Sequence, residues 1–181
     1  MSRSLVTLLP IAVSFLFLGF LSSPRPDEKK PAAGDMLVPA CSKLGPDLRR
    51  IGSQFGPQFD VPTQQANILG GKTDVDYVRY VIKAKTGDGY LELWFGPSAF
   101  STTPDRETLV NSVFTRERNV IDAGGRKIGR DTLGKFKNGR RWRHTSVYST
   151  GADGARYEAG SENAPLFDKI IDSVCLVPRS Q

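Results

Sequence analysis

The chain has 181 residues, with 25 lysines and arginines against 19 aspartates and glutamates, one histidine, two cysteines and a formal net charge of +6. One histidine and two cysteines are too few for a zinc site, which needs several such ligands at short spacing. No cofactor or metal is expected, and a thiol nucleophile would have only His144 as its possible base.

Arg3 precedes an uncharged apolar run, "LVTLLPIAVSFLFLGFL", residues 5 to 21, interrupted by Pro10. A basic start before such a run is what the export machinery reads. At 17 residues the run is also at the lower limit of a spanning helix. Residues 1–23 are therefore expected to be a cleaved signal peptide or an uncleaved membrane anchor, and either places the rest of the chain outside the cytoplasm. A lipid-bearing cysteine fails on position, because the first cysteine is Cys41. Residues 24–35, "PRPDEKKPAAGD", carry three prolines and little apolar content, which reads as a disordered linker. Residues 36–181 are long enough for a single domain with its own core. Cys41 and Cys175 bracket nearly all of it, and in an oxidising compartment they are expected to form a disulfide contributing roughly 4 kcal/mol.

Leu48, Ile51 and Phe55 recur at helical spacing, so a short helix is expected over 46–55. The stretch "GPQFDVPTQQANILGGKTD" is punctuated by prolines and glycines and reads as loop, with one short strand near Phe59 and Val61. "DYVRYVIKAKTGDGYLELWFG" alternates on both sides of a turn at Gly87-Asp88, pairing Ile82 with Leu93, Tyr80 with Phe95 and Ala84 with Leu91. That register gives one wholly apolar face and puts Lys83 opposite Glu92 on the other. Thr103, Pro104, Asp105 and Glu107 form a helix start, so a short helix is expected over 104–112.

Three strands are expected next, near 114–122, 126–136 and 140–149, joined by "DAGGR" and by the Asn-Gly turn of "KNGR". "TGADG" has too few oxygens for a calcium loop and reads as a turn into a last strand near 155–159. Leu166, Phe167, Ile170, Ile171 and Val174 make one apolar stripe of a closing helix capped by Asn163 or Ser161, with Asp168, Lys169 and Asp172 facing away. The fold class expected is α+β: an antiparallel sheet of five or six strands with that helix and one or two short ones packed on it.

No glycine-rich phosphate loop is present, and "FGPSAFS" lacks the second glycine of a nucleophile elbow. If "AGG" is a three-residue loop that pairs Asp122 with Arg126, and Asn138-Gly139 is a two-residue turn, then Glu117, Asp131 and His144 share a sheet face, the one constellation suited to acid–base hydrolysis. The plainer reading makes those carboxylates cross-strand ion pairs, His144 a packed strand residue, and Trp94 and Trp142 packing residues. The same register puts Arg116, Arg118, Arg130, Arg141 and Arg143 on the other face with Phe136, and Arg118 directly opposite Arg130. Like charges so placed destabilise a sheet unless acids from elsewhere or an external anion sit between them. Residues 116 to 143 hold ten cations and three acids. The leading expectation is thus an exported, non-enzymatic domain that contacts an anionic surface or protein partner through this arginine face. Export argues against nucleic acid, and the N-terminal segment provides for membrane contact. The alternatives are a small envelope hydrolase and a structural subunit of an envelope assembly.

Overall fold

The computed structural model describes residues 34–73, 77–96, 104, 106–148 and 153–178. The apolar run, the linker to residue 33, and the helix-start residues Thr103 and Asp105 lie outside the described residues. In chain order the elements are β1 (Met36–Val38), β2 (Leu48–Gly52), β3 (Pro57–Pro62), β4 (Ala66–Thr73), β5 (Val78–Ala84), β6 (Tyr90–Phe95) and α1 (Arg106–Asn111). They continue with β7 (Ser112–Asp122), β8 (Lys127–Phe136), β9 (Arg141–Val147), β10 (Asp153–Ala159), α2 (Ala164–Asp172) and β11 (Cys175–Leu176).

The architecture is mostly β, so the α+β expectation holds only loosely. The large sheet has eight strands rather than five or six, in the order β1-β7-β8-β9-β10-β6-β5-β4. A second sheet has three, ordered β11-β3-β2. All neighbours pair antiparallel except β1 and β7.

Two local expectations fail for tertiary reasons. Leu48–Gly52 is strand, not helix, because it pairs with β3 along its length and Arg50 reaches across to Asp60 at 2.7 and 2.9 Å. A few apolar residues at helical spacing do not outweigh such a partner. The stretch around Ile68 was expected as loop and forms β4, whose register with β5 shifts between Ile68 and Gly71; Gly70 lies in that shift at φ 99°. A bulge of this kind explains why glycines punctuate a strand.

The β5–β6 hairpin keeps the expected faces but not the expected pairs. Ile82 lies opposite Leu91, Tyr80 opposite Leu93 and Val78 opposite Phe95, while Glu92 faces Val81 rather than Lys83. The slip is two residues, which leaves every side chain on its face. Ile82, Leu91 and Leu93 are fully buried.

One core joins the two sheets. The inner face of the large sheet, bearing Ile82, Leu91, Leu93, Ala155 and Tyr157, packs against α2 and the small sheet. Phe167 of α2 meets Tyr157 at 5.5 Å between ring centroids, and Phe59 of β3 meets Phe95 at 6.0 Å. Asn163 stands at the N-cap of α2, but its amide caps nothing there. Instead it donates to the carbonyls of Thr86 and Asp88 at 2.9 and 2.8 Å, holding the helix start to the β5–β6 loop. Gly87, at φ 75°, permits this approach, since a Cβ there would lie 2.6 Å from that amide nitrogen.

The far end of α2 is tied covalently. Cys41, just past β1, bonds Cys175 of β11 across 134 residues of chain. Replacing both cysteines with serine is expected to lower stability by about 4–5 kcal/mol on the loop-entropy estimate, readable as a lower denaturant midpoint; an unchanged midpoint would contradict it. Ile82→Asp should cost several kcal/mol by burying an unpaired charge. Lys83→Ser, on the exposed side of the same strand, should move the melting temperature little, and equal losses from the two would mean the faces are misassigned.

Candidate functional site: a buried arginine–aspartate network and the surface beside it

The register of β7, β8 and β9 decides where every candidate residue points. The first turn agrees with expectation, as Asp122 N–H donates to the Arg126 carbonyl at 2.9 Å. The ladder then shifts, pairing Ile121 with Lys127 but Val120 with Gly129, so that Ile128 is extra. The second turn is Lys137-Asn138-Gly139, one residue longer than the tight form, with Gly139 at φ 86° and Lys135 opposite Arg141. Each effect moves the pairing by one residue, and a one-residue move flips faces.

Asp131 therefore joins the inner face, opposite Arg118 on one side and Thr145 on the other. Arg116, Arg141 and Arg143 share that face, whereas Arg130 and Phe136 go to the outer face. Arg118 does not meet Arg130, which lies opposite Asn119. The carboxylate cluster is dispersed in the same way. Glu117 and His144 flank Thr132 on the outer face, with Asp131 on the other side of the sheet.

Acids from α2 meet the inner arginines. Arg143, 1% exposed, gives its Nε to Asp131 at 2.7 Å, one terminal nitrogen to Asp168 at 3.1 Å and the other to Asp172 at 2.6 Å. Arg118 bridges Asp131 at 2.8 Å and Asp172 at 3.2 Å, and Arg141 holds Asp168 at 2.7 Å. The Thr145 hydroxyl donates to Asp131 at 2.5 Å and the Tyr157 hydroxyl to Asp168 at 2.8 Å. Three arginines thus meet three aspartates. Asp168 and Asp172, expected to face away from the sheet, instead fasten the helix to it. Arg116, the outermost member, is 3.6 Å from Asp131 and half in water.

The protonation states follow from this geometry. Burial pushes the Asp131 carboxyl up, but the charge and hydrogen bonds of Arg143, the Thr145 hydroxyl and Arg118 together outweigh it and hold the group below the usual range. Burial pulls the Arg143 guanidinium down, and Asp131 and Asp172 reverse that, raising it above its ordinary value. Burial, then the Asp168 charge, raises the Tyr157 phenol, so it stays a donor. Both members of the central pair are charged.

The outer face carries a second buried acid that sequence pattern did not reveal. Glu92 accepts hydrogen bonds from Arg79 and from Arg156 Nε, the latter at 2.5 Å, and both guanidinium groups lie over Trp94 at 5.3 and 5.5 Å. Arg156 comes from a strand 64 residues away, so only the β10–β6 pairing brings it there. Trp142 packs edge-on against Phe114 at 5.3 Å, over Gly134, where a Cβ would lie 2.4 Å from the indole. Phe136 lines a groove of about 470 Å³ between α1 and the β8–β9 turn, with Thr108, Asn111, Asn138, Arg140 and Glu158. Among the described residues no group of three His, Cys, Asp or Glu could hold a metal ion. No protein-family model, curated protein or solved structure matches the chain.

Replacing Arg143 alone with methionine is expected to cost about 3–5 kcal/mol, because Asp131 is left buried and charged. Adding Asp131→Asn should recover part of that loss, and a double variant as unstable as the sum of the singles would contradict the pairing. Acid should act on the same group. The folded Asp131 carboxyl lies below its unfolded value of about 3.9, so its contribution is complete above about pH 4 and disappears as pH falls through the folded value. A melting temperature that falls below pH 4 in wild type, and less steeply in the double variant, would bear this out; identical slopes would contradict it.

Proposed function

We propose that the protein is an exported, non-enzymatic binding domain that contacts an anionic partner through the exposed cations of β7, β8 and their turns. One observation carries this reading. Once Arg118, Arg141 and Arg143 are matched by aspartates, the exposed charges on β7, β8, β9 and their turns are Arg116, Arg126, Lys127, Arg130, Lys135 and Lys137 against Glu117 alone. Arg126 and Arg130 have partial partners in Asp122 and Glu117, while Lys127, Lys135 and Lys137 have no ion pair among the described residues. A net excess of exposed cations on contiguous strands attracts anions over roughly a Debye length.

The binding residues differ in role from those expected on sequence grounds. Arg116 and Arg130 are available to a partner; Arg118, Arg141 and Arg143 are occupied, and Phe136 lines the groove near α1. The disulfide is consistent with an oxidising compartment. The hydrolase alternative loses the shared face on which Glu117, Asp131 and His144 were to act.

The test is retention of the oxidised chain on an anionic matrix as salt is raised. Elution should fall to markedly lower salt in Lys127→Glu/Lys135→Glu/Lys137→Glu, with the melting temperature nearly unchanged. No retention of wild type at low ionic strength would overturn the reading.

A further inference from the structure

The cationic surface ends at an open sheet edge. β7 pairs with β8 from Ser112 to Ile121, but on its other side β1 covers only Val120 to Asp122. Ser112–Asn119 thus presents eight residues with no strand beside them among the described residues, longer than the usual strand of five or six. All of these except Ser112 and Arg118 are exposed. The edge already accepts a strand at its C-terminal third, since Met36 to Val38 adds there in parallel. An edge of this length is a template for strand addition unless something protects it.

Two features protect it against copies of itself. The ladder shifts between Phe114 and Arg116, which twists the edge, and Arg116-Glu117-Arg118 place charge along it. Two such edges brought together oppose like charges. An acidic strand is not repelled, because Arg116 is 44% exposed and Lys135 is exposed next to it, opposite Val113. Apolar contacts are present too: Val113 is 69% exposed, Phe114 46%, and Val110 at the end of α1 70%. An added strand of alternating character would meet Arg116, Lys135 and Val113 on one face and Phe114 on the other.

We propose that the outer edge of β7, Ser112–Asn119, binds an extended acidic segment of a partner protein as an added β-strand. The inference rests on the anionic-partner reading and narrows it to one site and one kind of partner. Main-chain hydrogen bonds supply the common affinity, and the exposed cations select acidic sequences over copies of this chain.

The probe is a synthetic peptide of about eight residues alternating glutamate and valine, titrated into the oxidised full-length chain and followed by amide chemical shifts. Binding should perturb Ser112–Asn119 and slow their hydrogen exchange. The same peptide N-methylated at alternate amides should bind at least about tenfold more weakly, as should the unmodified peptide to Arg116→Glu/Lys135→Glu with an unchanged circular dichroism spectrum. Equal binding of the N-methylated peptide, or shifts confined elsewhere, would overturn strand addition while leaving the anionic-partner reading intact. Binding to phosphatidylglycerol vesicles without binding to either peptide would point to a membrane and overturn it as well. Self-association through β7 would make a second copy the occupant, contradicting the acidic partner. Failure of peptide, vesicle and anionic matrix alike would overturn both readings.

Discussion

Arg143 carries a full positive charge to a position where 1% of its side chain meets water, and much of the fold is arranged around that fact. A buried guanidinium needs carboxylates on every side that can donate, or its desolvation is uncompensated. Asp131, from the neighbouring strand, takes Nε at 2.7 Å and one terminal nitrogen at 3.3 Å, but it leaves the other terminal nitrogen unmet. Asp168 and Asp172, four residues apart on one side of α2, complete the shell. The helix is therefore held to the sheet by two unlike means. Phe167, Ile170 and Ile171 bury apolar area, and the two aspartates fix where along the sheet that area is buried. The apolar contacts alone are non-directional; the ion network is not.

The network also specifies the register of β7, β8 and β9. A one-residue slip would send Asp131 to the outer face and set Arg118 against Arg130. Both changes are costly, since a buried Arg143 would lose its first partner and two cations would stand opposite each other. Replacing such networks by apolar residues can be neutral or even stabilising, so a contribution to specificity rather than to net stability is the better account here. The arrangement accounts as well for where the surplus charge sits. Arg118, Arg141 and Arg143 are matched by aspartates on the inner face, and the surplus cations lie exposed along β7, β8 and their turns, next to an edge that has no strand beside Ser112–Asn119 among the described residues.

How much of this was legible in the sequence depends on what each segment had to reveal. In β5 and β6 an apolar residue recurs at every second position, so the faces were readable even though the pairing slipped by two. In β7 to β9 charges lie on both faces, and alternation cannot say which side is in. Register there depended on the turns, and a three-residue loop at Lys137-Asn138-Gly139 and an extra Ile128 each moved it by one. The apolar stripe of α2 was clear, but Asp168 and Asp172 looked like a solvent face because their arginine partners lie 25 to 54 residues away in sequence. The conflict itself was visible: arginines opposite arginines demanded acids from elsewhere. Their source was not, and Leu48–Gly52 shows the same limit, since its strand partner outweighed a helical spacing.

If the aspartates of α2 fasten the helix, neutralising them should loosen the helix before the sheet. The direct measurement is native-state hydrogen exchange on Asp168→Asn/Asp172→Asn beside wild type. The account predicts that amides from Phe167 to Ser173 exchange much faster in the variant, while those of β6 and β10 keep their protection. Unchanged protection of α2, or equal loss in helix and sheet, would contradict it.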